Sequence, residues 1–248
     1  MIPQQRIRDK VDEYMSRADY PAVERHLSYW REEARQTGDD RGLLMVCNEL
    51  VGHYRKTQEE AKCRAAAEEA LALLKKMDFE QSVSAGTTYV NIATALQSFG
   101  KHEEALPLFE KALPLYEQAA GTSKELLGGL YNNMALTLVS LKDFERAFSL
   151  YNKAMAAREG DTFGELDQAS TLLNMADAYV AMWGMEAAEQ KVDELLAQAW
   201  ENLHEPQTEH GGYYAYVCEK CASVYAYYGY FLQAAELEQT AKEIYERD

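Results

Sequence analysis

Residues 131–154 read YNNMALTLVSLKDFERAFSLYNKA, and residues 89–112, which begin 42 positions earlier, read YVNIATALQSFGKHEEALPLFEKA. Both segments contain Tyr-x2-(Ile/Met)-Ala-x2-Leu followed by Ala-x3-(Phe/Tyr)-x2-Ala. Spacings of three and four place these residues on one face of an α-helix. The two halves of each segment therefore predict a helical hairpin, and the fixed period indicates an array of such hairpins.

Weaker copies of this pattern lie on both sides of the central pair. They are Cys47-x2-Leu50-Val51-x2-Tyr54, Leu172-x2-Met175-Ala176-x2-Tyr179 and Cys218-x2-Cys221-Ala222-x2-Tyr225. Residues 6–16 and 22–33 predict one more, degenerate hairpin at the start of the chain. We therefore expect a single all-α domain over residues 1–248, with six hairpins at about 3–38, 39–79, 80–121, 122–163, 164–209 and 210–248.

Turn and cap residues support this division. Glycines at positions 100, 184 and 229 fall between the two helices of their hairpins, where a residue without Cβ can adopt a positive φ. Asp143 is expected to cap the helix that follows it. Thr122-x2-Glu125 and Thr162-x2-Glu165 have the spacing of capping boxes, so we expect them to begin the next two hairpins.

The composition limits the possible partners. The formal net charge is −16 at pH 7, which opposes binding to nucleic acid phosphates or anionic membranes. The same acidity can also serve solubility alone. Apolar runs do not approach the roughly 20 residues that span a bilayer, no signal-peptide pattern begins the chain, and only four cysteines occur. These features predict a cytoplasmic protein.

The two central segments resemble tetratricopeptide repeats. The period of 42 residues, together with the motifs Asn91-Ile-Ala, Asn133-Met-Ala and Asn174-Met-Ala, is similar to the longer repeats of kinesin light chains. The resemblance covers about residues 40–248 and is strongest in the third and fourth hairpins. It implies a right-handed α-α superhelix, or solenoid, whose first helices line a concave groove that binds peptides, without implying a motor-associated role.

The resemblance also implies which side chains face this groove. Counted from the small residue of each first helix, the candidate groove residues are Asn48, Arg55, Asn91, Thr94, Asn132, Asn133, Asn174, Asp177, Tyr216, Lys220 and Tyr227. The asparagine two positions before the small residue recurs in three successive hairpins. Its amide can bind the backbone of an extended peptide, or it can join neighbouring first helices, and the two roles are compatible.

The groove positions favour some partners over others. Arrays that clamp a terminal carboxylate carry several Lys or Arg residues there, whereas the central hairpins here have Val90, Thr87, Gly129 and Leu136. We therefore expect a neutral to basic, partly apolar protein or peptide partner. In the aromatic last hairpin, Tyr216 and Tyr227 are candidate anchors for a ligand or for self-association, whereas Tyr225, Tyr228 and Phe231 are expected to pack against the preceding hairpin or cap the array.

Catalytic and metal-binding alternatives have weaker support. Cys218-x2-Cys221, with His204 and His210 upstream, has the spacing of a zinc or redox site. However, all four cysteines, including Cys47 and Cys63, fall at positions that face the hairpin interior, where small apolar packing explains them. The histidines form no His-Glu-x2-His motif, and no phosphate loop or nucleophile elbow is present. We predict no enzymatic activity, no cofactor and no bound metal.

Two functions follow from these observations. The first is an adaptor or scaffold that binds a peptide or flexible protein segment in its concave groove. The second is a structural assembly subunit, such as a homodimer joined through the aromatic last hairpin. The sequence does not identify the partner.

Overall fold

The fold was determined from a computed structural model that describes residues 1–205 and 210–247. These residues form α-helices and contain no strand. The twelve helices are α1 (Gln4–Ser16), α2 (Tyr20–Thr37), α3 (Asp40–Lys56), α4 (Glu60–Lys76), α5 (Val83–Ser98), α6 (His102–Gln118), α7 (Lys124–Ser140), α8 (Phe144–Arg158), α9 (Gly164–Trp183), α10 (Met185–Leu203), α11 (Gly212–Tyr227) and α12 (Phe231–Tyr245). Consecutive helices pack as six hairpins, as predicted.

The hairpins are grouped in two compact units of three, Met1–Thr122 and Ser123–Asp248, which we call unit 1 and unit 2. None of the helices in the described part of the chain combines the length and the apolarity that crossing a bilayer would require.

The core of unit 1 is built on small residues. Ala66, Ala93 and Ala105 are fully buried, and they let the helix axes approach closely. Phe109 and Tyr116 fill the space between the helices and are buried as well. Cys47 and Cys63 are also buried, in agreement with their predicted packing positions.

Unit 2 repeats this arrangement. Ala135, Ala147 and Ala176 are fully buried, and Tyr151 occupies the position that Phe109 has in unit 1. Tyr225 on α11 is buried, and its Oη donates a hydrogen bond of 2.7 Å to the carbonyl oxygen of Leu196 on α10. The predicted packing of Tyr225 against the preceding hairpin is therefore confirmed.

The turns within the hairpins follow the predicted chemistry. The glycines at 100, 184 and 229 have φ angles of 73°, 84° and 85°. Lys142 occupies the same kind of turn with a φ of 63°, so a residue with a Cβ is tolerated there. Asp143 caps α8, because its carboxylate accepts a hydrogen bond from the backbone N–H of Arg146.

The two predicted capping boxes are wrong. Helix α7 is capped by Ser123, whose Oγ accepts from the backbone N–H of Leu126, whereas the hydroxyl of Thr122 donates to the carbonyl of Ala119. Helix α9 follows Phe163, which has a left-handed backbone and provides no side-chain cap. The reason is that the chain turns one residue later than the Thr-x2-Glu spacing requires.

In place of the predicted capping box, the buried guanidinium of Arg158 joins α8 to α9. Arg158 ends α8, and its side chain is only 6% exposed. Its Nε lies 2.6 Å from an Asp167 carboxylate oxygen, its Nη2 donates to the carbonyl of Thr162, and its Nη1 pairs with Asp161. The Tyr213 hydroxyl of α11 donates to the other oxygen of Asp167. This network connects all three hairpins of unit 2 through ion pairs and charge-assisted hydrogen bonds.

Candidate functional site

The first helices of unit 1 line an open pocket. It has a volume of about 470 Å³ and lies among α1, α3 and α5. Its lining residues are Gln4, Arg8, Arg41, Leu44, Met45, Asn48, Glu49, Phe79, Ser84, Thr87 and Asn91. Two of the predicted groove residues, Asn48 and Asn91, are among them. Arg8, Arg41, Glu49 and Phe79 were not predicted.

The two asparagines of this pocket join adjacent first helices. Asn91 Nδ2 on α5 donates a hydrogen bond of 3.2 Å to Asn48 Oδ1 on α3. Asn48 Nδ2 in turn donates to the carbonyl of Leu44 at 3.0 Å and to Thr88 Oγ1 at 3.1 Å. The structural role that the sequence allowed for this ladder is therefore present. Asn91 still has its second N–H and its Oδ1 available for a ligand, because an amide provides two donors and an acceptor.

The pocket of unit 1 also contains charges of both signs. Burial raises the pKa of Glu49, the Arg8 guanidinium lowers it, and Asp12 raises it further. Arg41 lies over the ring of Phe79, with its Cζ 5.5 Å from the ring centroid. Counted from Val51, Glu49 occupies the groove position that Asn91 has on α5, so the sequence did carry a signal for it, whereas Arg41 and Phe79 lie outside the groove positions. Arg8 could not be placed because the degenerate first hairpin has no clear register.

Unit 2 contains a second asparagine pair of the same kind. Asn174 Nδ2 on α9 donates a hydrogen bond of 3.2 Å to Asn132 Oδ1 on α7. In both pairs, the donor lies two positions before the small residue, and the acceptor lies three positions before the small residue of the previous hairpin. Asn133 follows Asn132 on α7 and is half-buried.

The first helices α9 and α11 of unit 2 line another pocket. Its volume is about 430 Å³, and it is lined by Asp177, Val180, Ala181, Ser223, Val224, Tyr227 and Tyr228. Tyr228 Oη donates a hydrogen bond of 2.6 Å to Asp177 Oδ1. Burial raises the pKa of Asp177, and this hydrogen bond lowers it. The pocket brings together the predicted groove residues Asp177 and Tyr227.

The remaining predicted groove residues occupy separate positions. Tyr216 and Lys220 lie one turn apart on α11, with Lys220 Nζ 5.0 Å from the centroid of the Tyr216 ring. Arg55 is exposed in the last turn of α3 and Thr94 is half-buried on α5, and neither lines the two pockets described above. Phe231 was expected to pack against the preceding hairpin or to cap the array, and at 69% exposure it is not buried against that hairpin. As the first residue of α12, Phe231 projects from the end of its hairpin.

The four cysteines are buried free thiols. Cys218 and Cys221 are buried, and burial raises the pKa of both thiols. His204 lies against the carbonyl of Trp200, and the ring of His210 stacks on Tyr214 with centroids 4.2 Å apart.

A different cluster in unit 1 has ligand types that suit a metal ion. Atoms of Glu24, His53 and Glu59 lie within 4.8 Å of one another. However, Lys62 Nζ lies 2.7 Å from the nearest carboxylate oxygen of both Glu24 and Glu59, and Tyr54 Oη donates to Glu24. Because one ammonium group already forms ion pairs with both carboxylates, we interpret this cluster as an ion-pair network.

The repeated hairpins and their first-helix pockets define a helical repeat protein, and a comparison with protein families matches the central part of the chain. The tetratricopeptide repeat profile matches residues 43–118 and, in an overlapping match, residues 84–160. The chain therefore carries tetratricopeptide repeats in this region, which confirms the predicted class. Such repeats generally serve as protein-interaction modules. A comparison with curated protein sequences finds no significant match.

Two solved structures are similar over most of the chain. BtubC (BKLC) from P. vanneervenii has a TM-score of 0.59 and 21% identity, covering 92% of this chain and 90% of that protein. The nearly identical TPR-like repeats of a Podosopora anserina protein assigned to the kinesin light chains have a TM-score of 0.53 and 19% identity, covering 81% and 94%. The similarity is one of fold.

Proposed function

We propose that this chain is a non-catalytic protein-interaction module that binds a peptide or a flexible segment of another protein along its first helices. The observation that supports this proposal is that, in each unit, the first helices line an open pocket that contains predicted groove residues. In unit 1 these are Asn48 and Asn91, and in unit 2 they are Asp177 and Tyr227.

The chemistry of the pockets favours an extended, neutral to basic and partly apolar segment. Asn91 offers an N–H and an oxygen to a peptide backbone. Leu44 and Met45 offer apolar surface beside it, and the carboxylates of Glu49 and Asp177 can accept hydrogen bonds from basic or amide groups. The net charge of −16 supports a partner that is neither nucleic acid nor a membrane. We also propose a cytoplasmic location and function without a cofactor.

The experiment fills each pocket from an exposed small residue. Ser84→Arg places a long side chain in the unit 1 pocket, and Ser223→Arg does so in unit 2. The matched controls, Ala72→Arg on α4 and Ala197→Arg on α10, add the same charge at exposed positions of second helices. Partners captured from a native lysate are identified by mass spectrometry, and the binding of the purified partner is then measured directly.

We expect one or both pocket variants to lose the partner while both controls retain it. If all four variants bind like the wild type, the partner contacts another surface, and groove binding is excluded. If the controls lose the partner as well, the added charge, and not the filled pocket, is responsible.

The homodimer is a second candidate function, because aromatic side chains of the last hairpin are exposed. Tyr227 and Phe231 are each 69% exposed, and Tyr216 is 46% exposed. A dimer predicts a mass of twice 28.1 kDa in light scattering and a return to the monomer when Tyr227 and Tyr228 are replaced by polar residues. A monomeric wild type would exclude it.

A further inference from the structure

Unit 2 exposes a set of large apolar side chains at the turns of its last two hairpins. Met182, Trp183 and Met185 surround the turn between α9 and α10, and they are 46%, 49% and 46% exposed. Phe231 and Leu232 begin α12 and are 69% and 84% exposed. We call these five residues, together with Tyr227, the apolar edge. Clusters of exposed apolar residues on a folded protein mark interaction surfaces.

The two turns are neighbours. Met185, at the start of α10, lines one pocket of about 620 Å³ together with Tyr227, Tyr228 and Gly229 from the end of α11. Tyr230, the next residue, donates a hydrogen bond of 2.7 Å from its Oη to Asp193 on α10. Phe231 and Leu232 follow directly. Met185 and Tyr227 of the apolar edge therefore share one pocket, and the other four residues of the edge lie within a few residues of it along the chain.

Carboxylates lie beside this surface. Glu186, Glu189 and Asp193 line the same pocket as Met185 and Tyr227. Neither Glu186 nor Glu189 forms an ion pair with any described residue, and both are exposed. The pKa of Tyr230 is raised to about 12 by its hydrogen bond to Asp193, by burial and by the negative charges of Asp193 and Glu189.

We propose that the apolar edge binds an amphipathic segment of another protein, with apolar side chains placed against Trp183, Met185 and Phe231 and with Lys or Arg residues beside Glu186 and Glu189. In protein interfaces, aromatic anchors contribute much of the affinity, and complementary charges contribute specificity. A second copy of this chain fits less well, because it would bring two acidic surfaces together. Trp183, Met185, Phe231 and Leu232 lie outside the groove positions, whereas Tyr227 lines both pockets, so this surface adjoins the proposed groove of unit 2 and extends beyond it.

The test uses a fluorescent amphipathic peptide built from Leu, Phe and Lys, compared with the same peptide carrying Glu in place of Lys. Binding to the full chain is measured by fluorescence anisotropy. We expect the Lys peptide to bind and the Glu peptide to bind at least about tenfold more weakly. Phe231→Ser with Leu232→Ser should weaken binding of the Lys peptide by about tenfold or more, and Glu189→Lys should do the same.

Three controls make this outcome specific. Tyr29→Ser changes an apolar residue that is 61% exposed on α2, Glu201→Lys changes the charge at the other end of α10, and Ser84→Arg fills the groove pocket of unit 1. All three should bind the Lys peptide like the wild type. If Glu201→Lys weakens binding as much as Glu189→Lys, general charge attraction explains the result and the proposal fails. A wild-type dimer that Phe231→Ser dissociates would instead assign the edge to a second copy.

A failure of this proposal can be separated from a failure of groove binding. The pocket variants Ser84→Arg and Ser223→Arg report on the natural partner, whereas the variants at Phe231, Leu232 and Glu189 report on the amphipathic peptide. Because these residues are exposed, their variants should keep the wild-type melting temperature, which circular dichroism verifies.

Discussion

Single residues in unit 1 reveal where packing and function compete. Glu49 is half-buried and lines the groove pocket, where burial raises the pKa of its carboxyl, and no hydrogen bond to it is formed by the described residues. Carboxyls whose pKa is raised by burial cluster at binding and catalytic sites, and a position in a pocket makes Glu49 a candidate for such a role. His53 is also buried, but it lies within the Glu24 and Lys62 network and serves packing between helices.

The first prediction concerns Glu49. Burial raises the pKa of the Glu49 carboxyl in the folded state, so the native state binds the carboxyl proton more tightly than the unfolded chain does. Protonated Glu49 therefore favours folding at low pH, and this contribution is lost as the pH rises through the folded pKa. Glu49→Gln should therefore raise the melting temperature at pH 7 by a few degrees, and the gain should disappear near pH 4. Glu68→Gln, at an exposed site on α4, is the control and should have no effect.

If Glu49 belongs to the binding site, Glu49→Gln should weaken binding of the partner while it stabilises the protein. A variant that is neither more stable at pH 7 nor weaker in binding would show that the carboxyl is adequately solvated and has no role in recognition.

The second prediction concerns His53. Burial lowers its pKa, while Glu24 and Glu59 raise it and Lys62 lowers it further. As the pH falls through about 6.5, His53 takes up a proton more readily in the unfolded chain than in the native state. The contribution of His53 to the free energy of unfolding is therefore present above that pH and is lost below it. The melting temperature should decline between pH 7.5 and about pH 5.5, and His53→Phe should reduce this decline.

His210→Gln is the control for this measurement, because His210 is exposed, and it should leave the slope unchanged. An unaltered slope in His53→Phe would assign the acid sensitivity to another group, the first candidate being His26, whose pKa burial also lowers.

At the scale of elements, the stacking of hairpins depends on close approach at a few points. Gly164 begins α9, and a Cβ built on it would lie 2.1 Å from the backbone oxygen of Arg158 at the end of α8. Gly129, in the middle of α7, would place a Cβ with nothing within 4 Å. The absence of a Cβ therefore permits close backbone packing at Gly164, whereas at Gly129 it permits no such contact.

The third prediction compares these two positions. Gly164→Ala should lower the free energy of unfolding by about 1–3 kcal/mol, because the backbone of the preceding hairpin must move. Gly129→Ala should raise it by about 0.5–1 kcal/mol, because alanine loses less backbone entropy in a helix. Urea denaturation followed by circular dichroism measures both, and equal effects would contradict the close approach at Gly164.

At the scale of the whole molecule, each unit contains three hairpins and its own core. An array of about three repeats is the minimum that buries a continuous core. Stability in such arrays comes mainly from contacts within and between adjacent repeats, so a unit does not require distant parts of the chain.

The fourth prediction follows from this organisation. Fragments that end at Thr122 or begin at Ser123 should each be helical and should unfold cooperatively, as judged by circular dichroism and heating. A fragment that ends at Gly100 divides the third hairpin and exposes the apolar face of α5, so it should be less cooperative or aggregate. If the fragments 1–122 and 123–248 were unfolded, the two units could not be independently stable.

The sequence by itself determined the class of fold. The spacings around Ala93 and Ala135 depend only on the geometry of an α-helix, and a period that returns the same face every 42 residues leaves few arrangements besides stacked hairpins. The burial of the four cysteines followed from that register. The structure shows where the predicted groove residues lie, and their role in binding stays a proposal.

Only the tertiary structure decided which side chains meet across helices. Residues that are distant in sequence meet in the Asn91–Asn48 hydrogen bond, in the Arg158 network and in the apolar edge. The burial of Glu49 likewise depends on helices other than its own. A helical repeat pattern reports which face of each helix is buried, because burial is set by the period. It does not report the rotation and offset between neighbouring helices, and those decide which atoms come within hydrogen-bonding distance.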